Sequence, residues 1–101
     1  MKGNTLTEFL DDLLASGGPE KEFIFRDKTF FLEAIYSEEK KKHGLRLDEY
    51  VQERNGELRL EKSSEFWGDS FNECTEEFEN APLFDGMSIC DAEAEIEVTY
   101  G

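Results

Sequence analysis

Apolar and polar positions alternate along this chain in two distinct rhythms, and the change between them predicts the elements. Over residues 5–16, Leu6, Phe9, Leu10, Leu13 and Leu14 recur at the i, i+3, i+4, i+7, i+8 spacing of one helical stripe. Thr5 or Asn4 supplies an N-cap, Glu8 completes a capping box with Thr5, and Gly17-Gly18-Pro19 stops the helix. The period then falls to two. Glu22–Arg26 and Thr29–Ser37 read as a hairpin about Asp27-Lys28, with Phe30, Leu32, Ala34 and Tyr36 on one face and Phe31, Glu33 and Ile35 on the other. After a charged loop, Glu38–Gly44, the residues Leu45, Leu47 and Val51 share a face opposite Arg46, Asp48 and Tyr50. Asn55-Gly56 predicts a type I′ turn, beyond which Leu58 and Leu60 continue the apolar face.

From residue 63 the character changes. Ser64–Gly68 reads as a connection carrying Phe66 and Trp67. Residues 69–80 read as a second helix, capped by Asp69 or Ser70 with Glu73 as capping-box partner, turning Phe71, Cys74, Thr75 and Phe78 inward. Asn80-Ala81-Pro82 ends it, Leu83–Gly86 is a turn with an apolar anchor, and 88–93 fits a short helical turn capped by Ser88, with strand left open as the alternative. Ala94, Ile96, Val98 and Tyr100 alternate with Glu95, Glu97 and Thr99, which predicts a closing strand. The expected fold is a single α+β domain over 1–101. An N-terminal helix covers a four-stranded antiparallel sheet (1–62), and a second, acidic helix and a short C-terminal strand follow (63–101).

Composition supports a folded domain. The chain has 101 residues and nine phenylalanines, enough aromatic surface for one core despite a charged fraction of 36%. Neither a signal peptide nor a run of about 20 apolar residues is seen, so the expected location is the cytoplasm. Cys74 and Cys90 are too few and too far apart for a disulfide framework and read as reduced thiols.

Candidate chemistry is sparse. His43 follows Lys40-Lys41-Lys42 in the expected loop and has no spacing relation to either cysteine. A phosphate-binding glycine loop, a Gly-x-Ser-x-Gly elbow and zinc-type His/Cys spacing are all missing, and Asp85-Gly86 lacks the acidic ladder of a calcium loop. The expectation is a non-enzymatic protein with no cofactor and no metal.

Charge carries more information. The net charge is −14, which disfavours nucleic acid and anionic membranes as direct partners, the three lysines notwithstanding. It favours a basic protein surface, the kind found on proteins that handle nucleic acid. The charge is also unevenly spread: residues 63–101 hold eleven Asp and Glu and no Lys or Arg. Glu73, Glu76 and Glu77 share the outward face of the second helix with Asn80, although like charges at these spacings cost a helix about 0.2–0.5 kcal/mol per pair. Glu93, Glu95 and Glu97 are expected on one side of the last strand, about 6.6–6.8 Å apart. The candidate partner-binding set is therefore Asp69, Glu73, Glu76, Glu77, Glu79, Asp85, Asp91, Glu93, Glu95 and Glu97. Trp67, with Phe66, reads first as a core residue and joins the set as an aromatic anchor if it is exposed beside the acidic patch. A solvated acidic face is the plain alternative to the whole set.

The layout of Leu6–Leu14, Asn55-Gly56 and the carboxylates from Glu65 to Glu97 resembles the small acidic inhibitors of phages and mobile elements, in particular the anti-CRISPR proteins that block Cas9-type nucleases. The resemblance lies in layout and charge along the chain, without a shared motif, so no family residue transfers. It implies an inhibitor whose acidic C-terminal half mimics DNA in a nuclease cleft; on our own reading of the residues, the Phe66–Trp67 and Phe84 region is expected to add short-range contacts. An immunity or antitoxin-like neutraliser of a basic toxin, and a structural module whose acidity serves solubility, are the alternatives. The sequence leaves monomer and homodimer both open.

Overall fold

The computed structural model describes Glu8 and residues 20–100. Apart from Glu8, the helix expected over 5–16 lies outside the described residues. The expected order of a helix first, on four strands, is corrected. The sheet has five antiparallel strands, and the helices described on it follow the first four. The strands are β1 (Lys21–Phe25), β2 (Lys28–Ser37), β3 (Lys42–Gln52), β4 (Leu58–Gly68) and β5 (Glu97–Tyr100). They lie in the order β4-β3-β2-β1-β5, a meander closed by the C-terminal strand returning beside β1. Between β4 and β5 come α1 (Phe71–Asn80), α2 (Ile89–Ala92) and a 3-10 turn, Glu93–Glu95.

Turn chemistry explains where the strands end. Phe25 pairs with Lys28, so the first hairpin turns on Arg26-Asp27, one residue earlier than expected. Both have positive φ, 46° and 65°, the type I′ geometry that matches strand twist. Neither is glycine, and holding the two there costs roughly 1–2 kcal/mol each. Part of that strain is offset by ion pairs: Arg26 Nε and Nη2 donate to Glu95 at 2.8 and 2.7 Å, and Lys28 Nζ donates to Asp85 at 2.9 Å. At Asn55-Gly56 only Gly56 has positive φ. Gly56 N–H donates to the Glu53 carbonyl and Glu53 N–H to that of Glu57, a three-residue loop in place of the expected type I′ turn.

β4 is longer than expected, because Ser64–Gly68 is strand and no connection. Its pairing with β3 slips between Glu49↔Lys62 and Tyr50↔Leu60, leaving Glu61 as a bulge. With Arg59, Lys62 and Glu65 along the same strand, that bulge guards the outer edge against strand addition.

One face of the sheet builds the core. Phe23, Phe25, Phe30, Leu32, Leu45 and Leu47 face Cys74, Phe78, Phe84, Ile89, Ala92 and Ile96. Phe84 is the hub, with ring centroids 5.0–6.5 Å from those of Phe30, Phe25, Phe23 and Phe78. It anchors a tight turn in which Phe84 and Met87 exchange backbone hydrogen bonds of 3.0 Å around Asp85-Gly86. Phe66 reaches Phe78 edge-on from β4, so α1 lies over β3 and β4.

Candidate interaction surface

The local sequence sets α1 firmly. Ser70 Oγ accepts the Glu73 N–H at 3.3 Å, and Glu73 Oε2 accepts the Asp69 N–H at 2.7 Å, so the capping box closes one residue further out than its usual form. Cys74 and Phe78 are buried beneath, which leaves Glu76 and Glu77 exposed on top. Asn80 Nδ2 donates to the Glu76 carbonyl at 2.9 Å. A shallow groove of about 550 Å³ runs between Glu73, Glu76, Glu77, Asn80 and Ala81.

Ser88 Oγ caps α2 by accepting the Asp91 N–H, and Ile89, Ala92 and Ile96 are buried at helical spacing. Cys90 is thereby exposed among Glu79, Glu93 and Asp91. Burial first, then these three negative charges, pushes its thiol up. The Cys74 thiol is also raised, by burial and then by Glu77 and Glu73, and it donates to the His43 carbonyl at 3.1 Å. Both sulfurs therefore stay protonated at neutral pH and are poor nucleophiles. His43 is not in a loop as expected: β3 begins at Lys42, and the imidazole packs against Tyr36 and Phe71 at centroid distances of 5.0 and 4.5 Å.

The structure places most of the expected acidic site residues in two settings. Glu73, Glu76, Glu77, Glu79, Asp91 and Glu93 gather on the helical layer. Asp69, Asp85 and Glu95 are engaged by cations from the sheet. Lys42 donates to Asp69, Lys28 and Arg26 flank Asp85, and Arg26 grips Glu95. Hydrogen bonds from those cations hold all three carboxyls below their ordinary values. The row of carboxylates expected on the last strand is corrected. Glu93 and Glu95 lie in the 3-10 turn and only Glu97 lies on β5, so no row of three strand carboxylates forms. The apolar residues Ile89, Ala92 and Ile96 hold that stretch in helical form, overriding the period-two pattern.

Trp67 is likewise apart from the acidic helix. It pairs with Gly44, whose neighbours Leu45 and His43 point to the helices, so the indole lies on the opposite face. A β-carbon on Gly44 would stand 2.8 Å from the indole and 3.1 Å from Ile35. Lys40 Nζ sits 4.3 Å above the ring, a cation–π contact of about 0.5–1 kcal/mol. Gly44→Ala is expected to cost about 1–3 kcal/mol by overpacking, read as a lower urea midpoint with unchanged slope.

No family model, curated protein or solved structure matches this chain. The functional reading rests on the surface itself. Among the described residues no group of three or more His, Cys, Asp or Glu side chains is arranged to hold a metal ion, and no helix is long and apolar enough to cross a membrane.

The clamp that Arg26 and Lys28 form on Asp85 and Glu95 has a measurable pH signature. Because the Asp85 and Glu95 carboxyls are depressed in the folded state, their contribution is present above about pH 4 and is lost as pH falls through the lowered values. Arg26→Ala is expected to flatten the fall in thermal midpoint between about pH 5 and pH 3, and to make that fall less sensitive to salt. An identical pH profile in the variant would show that the clamp contributes nothing.

Proposed function

We propose that this chain is a non-enzymatic cytoplasmic binding protein that uses its helical face to occlude the basic, nucleic-acid-handling surface of another protein. One observation carries the reading. The sheet's cations neutralise Asp69, Asp85 and Glu95, yet none of the described ion pairs reaches Glu76, Glu77, Glu79 or Asp91. The acidic surplus of residues 63–101 is thereby concentrated on α1 and α2, where no Lys or Arg is present. A layer shaped only for stability would intersperse lysines at these helical spacings. A rigid, unneutralised set of carboxylates steers encounter with a basic groove and competes there with a phosphate backbone. Inhibition of a nuclease in the anti-CRISPR manner is the specific form proposed, with exclusion of DNA as the mechanism.

The test is a pull-down with the intact chain from bacterial lysate supplemented with candidate nucleases, washed at low and high salt and challenged with duplex DNA. A basic nucleic-acid-binding protein that is retained at low salt and displaced by both salt and DNA is the expected result. Enrichment of nothing basic, or of a partner indifferent to DNA, would leave the acidic layer as a solubilising face.

A further inference from the structure

We propose that Asn55 is a site of spontaneous covalent modification, at which the Asn55-Gly56 unit closes to a succinimide and reopens as aspartate and isoaspartate. The backbone nitrogen of Gly56 attacks Asn55 Cγ, so an N–C bond forms while the Cγ–Nδ2 bond breaks. Ammonia leaves, carrying the proton that Gly56 N gives up. Water then opens the ring. Addition at Cγ gives aspartate in an unaltered main chain, and addition at the Asn55 carbonyl carbon gives isoaspartate, whose main chain runs through Cγ. Nothing is oxidised or reduced, and water is the sole co-reactant.

The fold selects this position among the described residues. Residues 52–60 are all exposed, and a β-carbon built on Gly56 would meet nothing within 4 Å, so no neighbour shields the attacking nitrogen. Gly56 N–H donates to the Glu53 carbonyl at 3.0 Å, and Asn55 Oδ1 accepts the Glu57 N–H at 3.0 Å. Both bonds lie at the tip of the β3–β4 hairpin, so the reactive geometry is reached by opening the loop and not the domain. Asp85-Gly86 is the other place where glycine follows Asp or Asn. There Lys28 and Arg26 hold the carboxyl ionised, below its ordinary value, and a carboxylate is a poor acyl donor. Asn72 and Asn80 lie in α1, which the buried Cys74 and Phe78 fasten to the sheet, and each is followed by a residue with a side chain. Either product at Asn55 adds a negative charge between Glu53 and Glu57. Isoaspartate also lengthens the main chain and breaks the hydrogen bonds that close the loop.

Incubating the intact chain in mildly alkaline buffer, with peptide mapping by mass spectrometry at intervals, tests this. The expected result is a mass gain matching –NH2 replaced by –OH, confined to the peptide that holds Asn55 and split between two chromatographic forms. The rate should rise with pH, because Gly56 N must shed its proton, and should stay within about a hundredfold of that in the urea-unfolded chain. A reaction that waits for the whole domain to unfold would be slower by about a thousandfold or more. Asn55→Gln, whose longer side chain closes to a larger and less favoured ring, should keep a native circular dichroism spectrum and show no gain over the same interval. A folded chain that converts more than about a hundredfold more slowly than the unfolded one would overturn the inference. So would a gain that maps first to Asn72 or Asn80, or one that persists in the Asn55→Gln variant.

Discussion

Reversing Glu76, Glu77 and Asp91 to lysine is expected to abolish retention of a basic partner while leaving the fold intact. The three changes take the net charge from −14 to −8 and place cations in residues 63–101, which hold no Lys or Arg. Each reversed contact is worth on the order of 1 kcal/mol, so affinity should fall about a hundredfold or more, chiefly through slower association at low salt. Glu73 is left in place because its side chain caps α1 through the Asp69 N–H. The thermal midpoint should hold or rise slightly, since Glu73, Glu76 and Glu77 repel one another on the helix. Binding that survives the reversal, in a protein with a native spectrum, would remove the helical face as the docking surface.

Phe84→Ala is expected to be the most damaging single change to stability. The ring is fully buried and touches four other phenylalanines from β1, β2 and α1. Deleting it leaves a cavity where sheet, α1 and the 84–87 turn meet, at a cost of about 3–5 kcal/mol. A domain of this size holds only about 5–15 kcal/mol in total, so the midpoint should drop by roughly 15–30 °C or the protein should fail to fold. Phe84→Leu keeps most of the volume and should recover over half of the loss. Similar midpoints for the alanine variant and the unaltered chain would mean that Phe84 is no hub.

These two expectations differ in how far sequence alone supports them. Alternation of Phe30 with Leu32 and of Leu45 with Leu47 exposes the core face of β2 and β3, and Ser70 with Glu73 marks the start of α1. The closing stretch misleads because Ile89, Ala92 and Ile96 are helically spaced while Ile96 and Val98 also alternate. Local pattern cannot decide which period wins there until the core they enter is known. His43 misleads for another reason: three lysines before it suggest a loop, whereas Lys42 is in fact drawn into the strand and bonded to Asp69. The division of the carboxylates is the least legible feature of all. Arg26 reaches Glu95 across 69 residues and Lys28 reaches Asp85 across 57, and only the fold brings those charges together. Composition therefore shows an acidic half, and the topology decides which acids remain unneutralised.

The position of Trp67 makes the molecule its own reporter. The chain has one tryptophan, and it sits across the sheet from every described helix, over Gly44 and beneath Lys40. Its emission therefore reports on the Trp67 end of the sheet's other side. A partner whose binding is established by an independent method and that shifts or quenches the spectrum has come to that end. One that leaves it unmoved has docked elsewhere, on the far part of the helical layer or at the Leu58 end of β4, nine residues away. A fluorimeter can thus detect docking at one end of the sheet without a label.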